Sequence, residues 1–262
     1  MRGRGAPHGS EALGSEQSAR ARGPAVTSIL PTSATPAHQA KLATSGIALE
    51  RTGRWLRARF AAPHRTLGWT IVGGGWRTAA AVSWLEVTGD ELVPPIDAES
   101  FVRQQLAAEG RETEPTFLTG CALDEHVVAE ATAGRASATC VATVGLGNAL
   151  RIGDPSSAGA AVDTINLLCV ISRPLDDLAL LEALSLAVEA RTAAVLEARR
   201  TSRASDGAAT GTGTDCVVVA APSGSGAERY AGKHTAVGAA VGGAVLAAVR
   251  RGVAAWLARY GT

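Results

Sequence analysis

The stretch from Val162 to Arg200, VDTINLLCVISRPLDDLALLEALSLAVEARTAAVLEARR, decides the fold class. Val162 to Ser172 is an almost unbroken apolar run ended by Arg173 and Pro174, the pattern of a buried strand. A helix follows at once. Asp176 and Asp177 fall in its first turn and Arg199 and Arg200 at its end, so the charges at both ends suit the peptide dipole. Leu175, Leu178, Leu181, Leu184 and Val188 recur at helical spacing and are predicted to form its buried stripe. A strand buried on both faces needs neighbours, and the segments on either side supply them.

Upstream, 126–133 and 136–145 read as two strands joined at Ala133-Gly134-Arg135. Earlier still, Gly46–Glu50 and Trp55–Phe60 read as a hairpin turning at Arg51–Arg54; its second arm alternates apolar and basic residues, so one face meets water. Leu67–Val72 reads as a short strand running into Gly73-Gly74-Gly75, where the backbone turns sharply or approaches another segment. Asp97–Glu109 reads as a helix stopped by Gly110. Downstream, Cys216–Ala221 reads as a buried strand, Pro222–Gly232 as a loop and Thr235–Tyr260 as a last helix. Hairpins with a few long helices predict an α+β fold: one domain, with a mixed, largely antiparallel sheet packed against helices. Residues 1–43 lack periodicity, are rich in Gly, Ser, Ala, Pro and Arg, and are expected to form a disordered tail before a domain spanning 44–262. His8 and His38 lie in that tail.

Composition narrows the functional classes. Of 262 residues, 46% are hydrophobic and 19% charged, which is globular; aromatics are 4%, so the core rests on Ala, Val and Leu. Lys and Arg number 25 against 24 Asp and Glu, so no basic field exists to hold a nucleic acid. The longest apolar run, Ala236–Val249, ends at Arg250-Arg251, short of the ~20 residues of a membrane span. It is expected to be a buried helix, with Gly238 and Gly242 at a close crossing. No apolar segment follows the Arg-rich N-terminus, so no secretory signal is read there and a cytoplasmic location is expected. Cys121, Cys140, Cys169 and Cys216 form no C-x-x-C pair and are expected to be reduced, buried and structural.

Three glycine-rich polar segments adjoin buried elements. Gly145-Leu146-Gly147-Asn148 carries a lone G-x-G without the third glycine of a dinucleotide loop. Thr210–Asp215 runs into the strand Cys216–Ala221. Tyr230–Thr235 runs into the last helix and imitates a phosphate loop, but Ala227 and His234 stand where that motif needs glycine and a hydroxyl, which argues against an ATP-dependent enzyme. His234 suits a general base, or else a capping role. Lys233 at a helix start opposes the dipole, so it either meets a ligand or carboxylate or lies in solvent. Asp215 either orients His234, binds substrate or hydrogen-bonds its own loop. Asn148 and Asn166 either hold a substrate amide or close turns, and Glu189 is expected to pair with Arg191. No His, Asp or Glu cluster has metal spacing, so no metal is predicted. No Ser or Cys sits in a nucleophile turn, which argues against a covalent route.

Taken together, Thr143–Ala149, Thr164-Ile165-Asn166, Glu189–Ala193, Ala209–Asp215 and Tyr230–Gly238 resemble, in order and spacing, the adenosylcobinamide amidohydrolases of the CbiZ family. The resemblance covers about residues 45–260. This chain departs from the family in having Asp163 before Thr-Ile-Asn, Arg191 after Glu-Ala, Gly147 before Asn148, and Gly73–Trp76 where a Ser- or Asn-containing glycine turn is usual. The resemblance implies hydrolysis of the amide that joins the aminopropanol arm to the corrin ring, with the corrinoid as substrate and no cofactor. On that reading His234, Asp215 and Lys233 are the expected catalytic residues. Asn148, Asn166, Glu189, Thr212, Gly213, Thr214 and Thr235 are expected to bind substrate. A corrinoid-binding module without catalysis is the alternative, and the altered Gly73–Trp76 segment favours it. The oligomeric state is not legible.

Overall fold

The computed structural model describes residues 25–26, 40–41, 46–93, 95–156 and 163–261. The expected tail, with His8 and His38, otherwise lies outside these residues. Two short strands from that region are described: β1 (Ala25–Val26) pairs with β7, which spans Val127–Ala133, and β2 (Ala40–Lys41) pairs with β3, which spans Ile47–Thr52. The remaining strands are β4 (Trp55–Trp69), β5 (Arg77–Glu86), β6 (Thr116–Thr119), β8 (Ala136–Val144), β9 (Ala149–Leu150), β10 (Ile165–Ile171), β11 (Gly211–Thr212) and β12 (Cys216–Pro222). The helices are α1 (Ala98–Ala108), α2 (Asp177–Glu197) and α3 (Ala236–Tyr260).

Ten strands form one mixed sheet in the order β1-β7-β8-β10-β12-β4-β3-β2, with β5 beside β4 and β6 beside β5. Only β10–β12 and β5–β6 pair in parallel. The helix α2 supplies the crossover that a parallel pair requires. The fold is the expected α+β, but two strands go beyond the periodicity. The Ala-rich β5 starts with little β propensity, β6 is only four residues long, and both are held by pairing. The segment Leu67–Trp69 is also not a separate strand but the end of β4. That strand bends where its register against β5 slips between Arg59 and His64, and Pro63, which cannot donate to a ladder, sits in the irregularity.

The two faces of the central strands bury different layers. Cys140, Leu167, Cys169, Val217 and Val219 face α2 and α3, whereas Val141, Leu168, Val170 and Val218 meet Leu56, Val82, Trp84 and Phe117, from the β4–β6 region. The predicted stripe holds for Leu175, which is buried, and for Leu184 and Val188, which pack against the core, but not for Leu178 and Leu181. Ala179, Leu180, Ala183, Ala187, Ala190, Ala194 and Val195 are the buried residues, while Leu178 and Leu181 stand in solvent. Leucines and alanines lie on several sides of the helix, so spacing alone does not choose a face; small alanines allow the closer approach to sheet and neighbour. α3 is long and apolar enough to cross a membrane by length and composition, continuing as helix through Arg250-Arg251, and it packs against β7 and β8 with Val237 through Val253 on its buried side. The close approach expected at Gly238 and Gly242 occurs at Gly238, beneath the carbonyls of Ala231 and Gly232, but not at Gly242, where a side chain would meet open space; Gly252 makes another against Val144. The Gly73–Gly75 turn is a close approach as read: Gly73 has φ +78°, and a Cβ there would lie 2.9 Å from the Pro115 Cα. All four cysteines are free, with Cys140 and Cys169 buried and Cys121 and Cys216 partly so.

Candidate active site

The strands β10 and β12 start side by side, Asn166 opposite Cys216. Asp215 immediately precedes β12, and only 5% of its side chain is exposed. Its Oδ1 accepts from the Ile165 amide at 3.0 Å and the Thr212 hydroxyl at 2.5 Å. Its Oδ2 accepts from the Thr212 amide at 2.9 Å and Arg191 Nη1 at 2.5 Å. Burial pushes the Asp215 pKa above the ordinary aspartate value, while Arg191 and the hydrogen bonds from Thr212 and Ile165 pull against it. Four donors converge on this one carboxylate, so Asp215 ties the loop and Arg191 together. That is the local hydrogen-bonding alternative read from the sequence.

The surrounding blocks close the same end of the sheet. The pairing of β11 with β9 ties the 210–215 loop to Ala149-Leu150. Gly213 and Thr214 are exposed, and a Cβ on Gly213 would lie 3.0 Å from Nδ2 of the buried Asn148. Asn166 is buried, with Nδ2 donating to the Leu118 carbonyl at 2.8 Å. Its Oδ1 and the hydroxyls of Thr143 and Thr164 lack a protein partner. The Gly145/Gly147 pair makes room for Asp163, which accepts from the Gly147 amide at 2.9 Å; the glycines serve this packing and cradle no nucleotide. Burial raises the Cys121 thiol and pushes Cys216 up to about 12, which makes both poor nucleophiles near neutral pH. Trp69 reaches in from β4 and donates from Nε1 to the Asp215 carbonyl at 2.6 Å.

Lys233, His234 and Thr235 follow the loop that leaves the other end of β12, and Glu189 lies on α2. β12 ends at Pro222, and the following loop folds back over the start of α2, with Glu228 bridged to Leu175. The Ala231 amide donates to Glu182 at 2.6 Å. Thr235 is the N-cap of α3, its hydroxyl accepting from the Gly238 amide at 2.9 Å. Ala236 lies against Gly134, in the β7–β8 turn, which marks this as the far end of the sheet. Lys233 pairs with Glu189 at 2.5 Å, both side chains more than half exposed, so the lysine that opposes the α3 dipole has its carboxylate on α2. His234 is exposed. The other two described histidines are lodged in the structure. His64 and His126 direct Nδ1 to the carbonyls of Ala62 and Leu123, and burial lowers both pKa values.

The expected pairing of His234 with Asp215 is therefore corrected. None of the four donors to the Asp215 carboxylate is His234; Asp215 precedes β12, whereas His234 follows the loop beyond the strand's end. The loop after β12 does not return to the strand's starting edge, because it is anchored on α2 and on the β7–β8 turn. The expected Glu189–Arg191 pair is corrected too. Residues two apart on a helix point to opposite sides, so Glu189 meets Lys233 while Arg191 meets Asp215. Sequence reasoning missed Asp163 and Trp69 as members of the closed end. Trp69 carried a faint signal, an aromatic at a strand end just before a glycine turn.

The sequence pattern of the CbiZ family, adenosylcobinamide amidohydrolase, matches residues 39–261. A curated protein of Halobacterium salinarum, named adenosylcobinamide amidohydrolase, is 32% identical over 193 residues, covering 70% of this chain and 76% of that protein. Among solved structures, the crystal structure of the PH0078 protein from Pyrococcus horikoshii OT3 shares 11% identity, with 88% of this chain and 82% of that chain covered and a TM-score of 0.40. A match spanning nearly every described element, with both ends of β12 inside it, shows that the chain belongs to the CbiZ family of adenosylcobinamide amidohydrolases.

Proposed function

We propose that this protein hydrolyses the amide joining the aminopropanol arm to the corrin ring of adenosylcobinamide, releasing adenosylcobyric acid and 1-amino-2-propanol for re-entry into coenzyme B12 synthesis. The observation that carries this reading is the family match over residues 39–261. In the reaction, the oxygen of water bonds to the carbonyl carbon, the C–N bond breaks, and a proton passes to the departing amine nitrogen. A neutral amide is a poor electrophile, so the site must take a proton from water, hold the tetrahedral oxyanion and return a proton to nitrogen.

The open end of β12 meets these needs better than the closed end. His234 is an exposed imidazole able to take and return the proton. The amides of Ala236 and Val237, the first two of α3, have no carbonyl one turn behind them within the helix, and they point toward that end as oxyanion donors. Lys233, held by Glu189, adds positive charge beside them. Asp215 then acts as a positioning residue for the closed end. There Arg191, Thr212, Asn148 and Asn166 maintain the loops, and Gly213 and Thr214 present backbone to solvent.

The test is to incubate purified protein with adenosylcobinamide, with and without a chelator, and to follow cobyric acid and aminopropanol. Turnover by the wild type that His234→Ala abolishes is the expected result. Binding of the corrinoid without any product overturns the reading in favour of a non-catalytic binding module.

A further inference from the structure

The leucines expected in the α2 core but found in solvent lead to a second site. A cleft of about 540 Å³ opens where β12 ends and α2 begins, walled by Arg65, Leu175, Leu178, Pro222 and Ala227. That volume is in the range that takes an organic ligand. Leu178 in its wall is 53% exposed, and three more large apolar side chains are exposed on the elements that adjoin it: Trp76 at 46%, Leu181 at 48% and Tyr230 at 56%. Leu178 and Leu181 are one helical turn apart, so they extend the cleft along α2. Trp76 joins from the other side through Arg65, whose guanidinium lies over the indole ring at 5.9 Å. Arg65 is in turn fixed by the Leu175 carbonyl at 2.7 Å and by Asp177. Tyr230 stands between Glu228, bridged to Leu175, and Ala231, bonded to Glu182, which places it beside the same turns of α2.

A folded protein keeps so many large apolar side chains around one opening when something covers them. Three features identify the cover. The cleft lies at the carboxyl ends of the parallel strands β10 and β12, where open sheets bind their ligands. It lies on the same loop as His234, four residues beyond Tyr230. Its wall carries a fixed guanidinium and carboxylates beside Leu175, Leu178 and Pro222, and exposed apolar side chains stand on the adjoining elements, which complements a flat apolar macrocycle fringed with amides. We infer that this cleft seats the corrin ring of the substrate, with Trp76, Leu178, Leu181 and Tyr230 against the macrocycle and the aminopropanol arm running along the loop toward His234. The inference rests on the proposed function.

It is tested with the full chain by equilibrium binding of adenosylcobinamide, read from the corrinoid absorbance, together with kcat and KM. Leu178→Asp and Leu181→Asp alter solvent-exposed positions, so their circular dichroism and melting are expected to match the wild type. Each is expected to weaken binding and raise KM by about tenfold or more, with kcat at saturation changed far less. Trp76→Ala gives a second reading of the same loss without introducing charge. Wild-type binding and KM in all three variants, with the wild type still active, overturns this placement and leaves the proposed function standing. A wild type that binds no corrinoid overturns both. A wild type that self-associates in sedimentation, where Leu178→Asp is monomeric but binds corrinoid normally, assigns the surface to a second copy and overturns the inference.

Discussion

The two ends of β12 are built on opposite principles. At its start, one carboxylate takes four hydrogen bonds and ties together α2, the 210–215 loop and the first residue of β10. At its end, a loop crosses the head of α2 and leaves His234, Lys233, Tyr230 and two leucines facing water. Both ends carry glycine-rich polar blocks, and in one dimension they look equally reactive. The difference lies in spare capacity: a group whose bonds are all satisfied organises structure, whereas chemistry needs a group with a lone pair or proton still to give.

This contrast is sharpest for Asp215. Asp215→Ala removes the partner of Arg191, only 12% of whose side chain is exposed, and leaves that charge nearly buried. A loss of about 3–5 kcal/mol is expected, in the range for breaking a buried pair, measured by chemical denaturation. An unchanged denaturation midpoint would show that the closed end is not held by this carboxylate. His234→Ala should do the reverse, lowering kcat by about 10²-fold or more with melting unchanged. Equal activity in His234→Ala would move the chemistry to the closed end and invert the comparison.

Smaller effects separate the glycines of α3. At Gly238 a Cβ would strike the carbonyls of Ala231 and Gly232, so Gly238→Ala is expected to destabilise by about 1–3 kcal/mol and to disturb the loop bearing His234. Gly242 has open space for a Cβ, so Gly242→Ala is expected to stabilise by up to about 1 kcal/mol through helix propensity alone. Matched melting shifts of one sign would show that the two positions share an environment. Smallest of all is Glu189→Gln, which breaks an exposed pair and should change stability by less than about 1 kcal/mol, with the effect vanishing at high salt.

Much of this architecture was legible. The hairpin of β3 and β4, the strands β7, β8, β10 and β12, and all three helices follow from apolar runs, caps and glycine stops. β5 escaped because its alanines carry little strand signal, and β6 because it is only four residues long; the place of both is set by partners far along the chain. The stripe on α2 was misread in part because leucines and alanines on several sides of the helix hide which face is buried; the alanines went inward where backbones approach closely. The candidate residues were mostly recognisable as polar groups at element ends, but their grouping was not. Asp215 and His234 lie 19 positions apart, bracketing a strand, and nothing local states whether the intervening loop returns to the strand's start or stays at its end.

Caps, periodicity and residue types act over a few neighbouring positions, so most of the elements, the family and the set of polar blocks were readable along the chain. Which blocks meet was settled by packing. The parallel pairing of β10 with β12 places Asp215 beside Ile165 and Arg191, and the seating of α3 against the β7–β8 turn carries His234 to the far end. Those choices depend on burial of distant apolar faces against one another, a free energy that no short stretch of chain contains.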